Sequence, residues 1–214
     1  IRHSALSRGL GDVYKRQLVE NRELLMTGTI SGPDSADVSQ FFNFSRPVQA
    51  SETIDFFMSN SWHDDSDAKW EKLVQVATEF YKDHGRYPTF WLDKVCIDQT
   101  RITDCLKVLP VNVMACRQVL VLCGHTYIDR LWCVWELFTL FSFAHEELAM
   151  KRVKLAPLEG MNCHEVLTRL SQFNADNAKC YDPNEQKKLM QIIEGVGKVK
   201  FNRRVQRLAA LVRM

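Results

Sequence analysis

At 214 residues, 46% hydrophobic and 25% charged, the chain has the size for a single α/β domain with a substantial core and for little beyond it. A net charge of +2 gives no general attraction to nucleic acid, and the longest apolar runs, such as residues 137 to 144, fall far short of the ~20 residues of a spanning helix. Seven cysteines, at 96, 105, 116, 123, 133, 163 and 180, form no CxxC pair and no zinc-like Cys/His spacing, so they read as small core residues of a reducing, cytoplasmic compartment, with no metal expected.

Residues 1 to 17 are basic and carry neither helical nor strand periodicity, so they are expected to be a disordered or non-native leader. Residues 18 to 51, with Gly28, Gly32-Pro33 and a Ser/Asp-rich stretch, read as a linker. Regular patterning starts at residue 52. The run Ile54-Asp55-Phe56-Phe57-Met58-Ser59 predicts a strand, followed by a polar loop over residues 60 to 66. Residues 67 to 83 predict a helix that turns Trp70, Leu73, Val74, Ala77, Phe80 and Tyr81 inward and ends at His84-Gly85. A second strand is expected over residues 89 to 93. A helix over 102 to 117 follows, with Leu106, Leu109, Val113 and Met114 inward and a kink or restart at Pro110.

Residues 118 to 123 predict the third strand, and residues 128 to 145 a helix so apolar all round that it must be covered on more than one side. A fourth strand over 151 to 158 and helices over 162 to 172 and 184 to 195 complete the pattern, with a weakly marked fifth strand near 173 to 180. Strands that alternate with helices imply a parallel, flavodoxin-like sheet of four to five strands flanked by helices. In such sheets ligands sit outside the carboxyl ends of the strands, so the loops after Ser59, Asp93 and Gly124 are expected to converge. Neither GxGxxG nor GxxxxGK[ST] occurs, which leaves a conventional dinucleotide or P-loop cradle without support.

Between Asp129 and Glu146 the only acid is Glu136, among Trp132, Cys133, Leu137 and Leu140. A buried, unpaired carboxylate costs several kcal/mol, roughly, so Glu136 must be paired, protonated or turned to a cleft.

The segments Phe57-Met58-Ser59, Trp91-Leu92-Asp93 and Leu120-Val121-Leu122 with Trp132-Cys133-Val134-Trp135-Glu136-Leu137 resemble the three sequence boxes of Toll/interleukin-1 receptor (TIR) domains, most closely the TIR-like domains of protists. The resemblance covers residues 52 to 172, leaving 173 to 214 as a helical extension expected to pack on the domain. A weaker likeness links residues 91 to 99 to the fungal heterokaryon-incompatibility domain. The TIR resemblance implies self-association, contact with other TIR-containing proteins, and cleavage of the nicotinamide–ribose bond of NAD⁺, as substrate rather than cofactor, by one glutamate. Glu136 matches that glutamate. Two departures lie near the expected cleft: Arg130 replaces the serine usual two positions before the tryptophan, and residues 94 to 103 lack the usual glycine.

Cleavage of NAD⁺ asks little of a protein, because cationic nicotinamide departs as a neutral molecule and needs no general acid. One carboxylate that binds ribose hydroxyls and stabilises an oxocarbenium-like centre suffices. Ser59, Trp62, Asp65, Asp93, Lys94 and Trp132 are the candidate substrate contacts. Each has a structural alternative. Glu136 is equally readable as a structural acid at an association surface or paired with Arg130 or a lysine. Asp64, Asp65 and Asp67 suit a helix N-terminus, Lys94 a solvated loop, and Trp91, Trp132 and Trp135 the core. His125 and Asp129 with Cys123 or Cys133 lack anything that orients a cysteine nucleophile. The last segment, residues 198 to 213, places Phe201, Val205, Leu208, Ala209 and Val212 on one face and Lys200, Arg203, Arg204 and Arg207 on the other. A solvated outer face, a partner and an anionic surface all remain open for the basic side.

Overall fold

A computed structural model describes residues 2–4, 45–47, 52–96, 102–180 and 183–212. Its centre is a four-stranded parallel sheet made of β3 (Ile54–Asn60), β4 (Phe90–Leu92), β5 (Cys116–Cys123) and β6 (Val153–Pro157), in the order β4-β3-β5-β6. Numbered within the sheet this is 2-1-3-4, the flavodoxin-like order, and the direction of winding reverses between β3 and β5. Registers of Phe57 with Trp91 and Val119, and of Ser59 with Val121, align the carboxyl ends of the three strands. Two short segments, β1 (Arg2–Ser4) and β2 (Ser45–Pro47), pair antiparallel, with β1 beside β4; the remainder of the expected leader and linker lies outside the described residues.

The period-2 alternation of the strands creates two cores. Phe56, Met58, Leu120 and Leu122 meet α1 (Ser66–His84), while Phe57, Val119 and Val121 face α3 (Ile102–Ala115) and α4 (Leu131–Phe143). Helix α1 starts because the Asp65 carboxylate accepts from the Ala68 amide at 2.8 Å, and it stops at Gly85 in the left-handed region with φ of 66°. Its buried face holds Lys69, Trp70, Leu73, Val76 and Ala77, a few tens of degrees from the predicted one, so that Tyr81 is exposed. The single turn α2 (Asp93–Cys96) follows β4 directly. In α3 Leu109 and Val113 are buried and Met114 is exposed; Leu106 lies outside the described side chains. No restart occurs at Pro110, and α3 is one helix that forgoes the hydrogen bond Pro110 cannot donate. Its free carbonyls at the carboxyl end receive the Arg152 guanidinium, which donates to Val113 and Met114 as well as to Cys116 and Arg117.

Helix α4 is buried on most of its circumference, by the sheet, by α3 and by the terminal helix α8 (Lys198–Val212). Helices α5 (Glu146–Lys151), α6 (Cys163–Ser171) and α7 (Pro183–Val196) fill the remaining connections. Phe201 of α8 is fully buried with its ring 4.5 Å from Phe138 and 5.9 Å from Phe173. In place of the fifth strand expected near residues 173 to 180, the chain forms an isolated parallel bridge between Lys179 and Arg130. That bridge ties the start of α4 through the Leu131 amide to the Lys179 carbonyl at 3.1 Å.

Candidate active site

The reversal between β3 and β5 opens the carboxyl ends of two neighbouring strands to the same side. Their loops are stitched together there. The Asp64 carboxylate, in the loop after β3, accepts from the Gly124 amide at 3.1 Å and from the amide and hydroxyl of Thr126 at 2.8 Å each. Ser61 Oγ and Thr126 Oγ1 share a hydrogen bond of 2.7 Å, and the buried Lys69 ammonium donates to the Ser61 carbonyl at 3.0 Å. These contacts hold the loop after β5 close to the sheet and deliver the 3₁₀ turn Tyr127–Asp129 and then α4.

Strand alternation puts Ser59 on the same face as Phe57, toward α4. There Ser59 Oγ donates to Glu136 Oε2 at 2.5 Å, and Trp132 Nε1, one helical turn before Glu136, donates to Oε1 at 3.1 Å. The Tyr127 hydroxyl lies 2.6 Å from Ser59 Oγ and 3.4 Å from the Cys133 carbonyl. The Cys133 thiol donates to the Asn60 carbonyl at 3.3 Å. Ser59 is fully buried and Glu136 is 2% exposed.

Burial pushes the Glu136 carboxyl well above the usual carboxylate range, and the negative charge of Asp93 pushes it further; the donors Ser59 and Trp132 oppose this without overcoming it. No lysine, arginine or histidine pairs with Glu136 among the described residues. Arg130, a possible partner by sequence, makes no pair with it. Burial raises the Tyr127 and Cys133 acids too, and the neighbouring Glu136 adds to both shifts. Lys69 is held below the usual lysine range, by burial.

Of the candidate contacts, Ser59 and Trp132 are brought directly onto Glu136, and Asp93 is close enough for its charge to act there. Asp65 caps α1 instead of facing Glu136, as its sequence position just before an apolar helix also allowed. Trp62 is half-buried in the loop after β3, and the side chain of Lys94 lies outside the described residues. Trp91 is a core residue, stacked on Phe57 with centroids 4.5 Å apart. Asp129 is engaged by Arg169 through two hydrogen bonds of 2.9 Å, which removes it from any acid–base pair with His125. The Cys123 thiol is pushed up to about 12 by burial, so it stays protonated and unreactive at neutral pH. No group of three potential ligands for a metal ion occurs among the described residues.

Tyr127 and Lys69 were missed from the sequence. Lys69 had a detectable signal, since it falls on the apolar face of α1 beside Trp70 and Leu73. Tyr127 had none, because its hydroxyl acquires a role only when β3 passes beside it.

The fold and the site together define a flavodoxin-like α/β domain with a buried acid at its topological switch point. Comparison with protein-family models, with curated proteins and with solved structures finds no match to the chain. No helix among the described residues is long and apolar enough to cross a membrane.

Proposed function

We propose that the chain is a TIR-like domain of intracellular signalling or defence that hydrolyses the nicotinamide–ribose bond of NAD⁺, with Glu136 as the catalytic carboxylate. The observation that supports this reading is the position of Glu136 beside the carboxyl end of β3, 2% exposed and hydrogen-bonded by Ser59 and Trp132, with no cation paired to it among the described residues. An acid of purely structural use is ordinarily paired with a base, because burying it alone is costly.

In the proposed reaction the C–N bond to nicotinamide breaks and its electron pair neutralises the pyridinium nitrogen. The ionised Glu136 stabilises the positive charge that develops at the ribose C1′, with Ser59 and Trp132 fixing its two oxygens. Water then adds to C1′ and gives its proton to Glu136. The low-dielectric surroundings strengthen this attraction relative to water.

A second reading, a non-catalytic self-association or adaptor module, draws on a different observation. Val108, Val111 and Met114 form an exposed apolar stripe on α3, at 48%, 56% and 36% exposure. Incubation of the purified chain with NAD⁺ separates the two. Free nicotinamide is expected from the wild type, falling by roughly 10²-fold in a folded Glu136→Gln variant. A folded wild type that self-associates and never consumes NAD⁺ is the adaptor.

A further inference from the structure

Arg130 and Lys179 are partners across the isolated parallel bridge that anchors the start of α4. The Lys179 amide donates to the Asp129 carbonyl at 2.8 Å, and the Leu131 amide donates to the Lys179 carbonyl at 3.1 Å. Bridge partners project their side chains to the same side of the ladder from backbones about 4.8 Å apart. Two positive charges are thereby set next to each other, and like charges directly opposite destabilise such a pair.

No acid relieves them. Among the described residues neither side chain makes an ion pair or a hydrogen bond. The neighbouring carboxylates are committed elsewhere, Asp129 to Arg169 through two hydrogen bonds of 2.9 Å and Asp176 to Lys198 at 2.6 Å. Asp64 spends its oxygens on Gly124 and Thr126. Arg130 is also out of place on local grounds. It is the N-cap of α4, where Ser, Thr, Asp or Asn would accept from the first amides, whereas its guanidinium makes no cap bond and adds positive charge to the positive end of the helix dipole. The half-buried guanidinium thus meets a like charge, a positive helix end and partial loss of water together. An anion of more than one charge relieves all three.

We propose that Arg130 and Lys179 bind the pyrophosphate of the dinucleotide, so that the domain selects a pyridinium ribose that carries phosphates over the bare nucleoside. This rests on the NAD⁺ reading of Glu136 and supplies a site for the other half of that substrate. Arg130 leads directly into the helix that carries Trp132 and Glu136. At a rise of ~1.5 Å per residue its backbone lies about 9 Å from that of Glu136 along the axis, within the length of one nucleotide. The position is one where the resembled TIR sequences carry serine, so the clamp belongs to this chain's departure from that pattern.

Arg130→Ser and Lys179→Gln test the clamp. Wild-type protein should cleave NAD⁺ with a kcat/KM well above that for nicotinamide riboside, which has the same scissile bond and no phosphate. Each variant should raise the KM for NAD⁺ about ten- to a hundredfold with kcat nearly unchanged, as expected when one charge-assisted contact common to ground and transition states is lost. Cleavage of the riboside should stay as it was. Because Arg130→Ser removes the repulsion and supplies a cap acceptor, its urea midpoint without ligand should equal or exceed that of wild type. Sodium pyrophosphate should raise the wild-type midpoint and leave both variants unmoved. The clamp is overturned by a wild type indifferent to pyrophosphate, by NAD⁺ and riboside cleavage falling together, or by an Arg130→Ser protein less stable than wild type. None of these results touches NAD⁺ cleavage by Glu136. If the chain never consumes NAD⁺ that reading fails by itself, and pyrophosphate binding lost in both variants then still supports the anion clamp.

Discussion

The Asp64 carboxylate occupies the space that a side chain at Gly124 would need: a Cβ placed there would lie 2.3 Å from Asp64 Cγ and 2.5 Å from Oδ2. The two residues are 60 positions apart in the chain, and their contact is what brings the loops after β3 and β5 together above the sheet. The glycine is required by close approach, whereas the glycine at the end of α1 is required by backbone conformation.

Gly124→Ala should therefore destabilise the protein by about 1–3 kcal/mol through overpacking. Asp64→Ala should do so by a similar amount, because it strands two amides and a hydroxyl. The double variant should lose clearly less than the sum of the two, since the shortened residue 64 leaves room for the new methyl group. Urea denaturation of the four proteins measures this coupling, and strict additivity would show that the contact does not control the loop.

Asp55 gives a pH prediction of the ordinary carboxylate sign. Burial raises its pKa, but the two hydrogen bonds from Arg86 at 2.7 and 2.8 Å, together with those from Thr89, outweigh burial and leave it below the usual value. The stability it contributes is present above the unfolded pKa of about 4 and is lost as pH falls toward the lower folded value. Asp55→Asn should cost about 1–3 kcal/mol at pH 7, given that Arg86 is half-exposed, and the cost should shrink in acid. Denaturation midpoints at pH 7 and pH 3 provide the comparison.

Glu136 has the opposite sign. Its folded pKa is raised, so the folded state holds a proton that the unfolded chain has released, and stability declines as pH rises above the unfolded value of about 4.3 until the folded pKa is passed. Glu136→Gln removes this penalty while keeping the volume. The variant should gain stability relative to wild type between pH 5 and pH 8, by at most about 1.4 kcal/mol per pH unit. An unchanged difference across that range would mean that Glu136 is ionised throughout.

Phe201→Ala should cost about 3–5 kcal/mol, because the ring is fully buried against Phe138, Phe173 and Trp135. Arg152→Met keeps most of the stem but uncovers the last carbonyls of α3, for an expected loss of about 1–2 kcal/mol. Thermal melts of these two variants measure whether α8 and the α3 end belong to the cooperative unit.

The parallel α/β class, the position of most elements and the isolation of Glu136 are legible in the residues alone, because these depend on local periodicity and on the rarity of an acid in an apolar helix. Hydrophobic alternation also determined that Ser59 follows Phe57 on one face of its strand. That this face meets α4, so that Ser59 and Trp132 divide the two oxygens of Glu136 and Arg130 does not pair with it, follows from the packing of the folded chain. The same holds for Asp64, for which the nearest donors in the sequence are the amides of its own helix start, yet whose carboxylate accepts from Gly124 and Thr126 instead. Local signals rank what each residue does for its own element. Which of two polar partners it finds is decided by strand order and by how little water the packed switch point leaves, and those are properties of the assembled sheet.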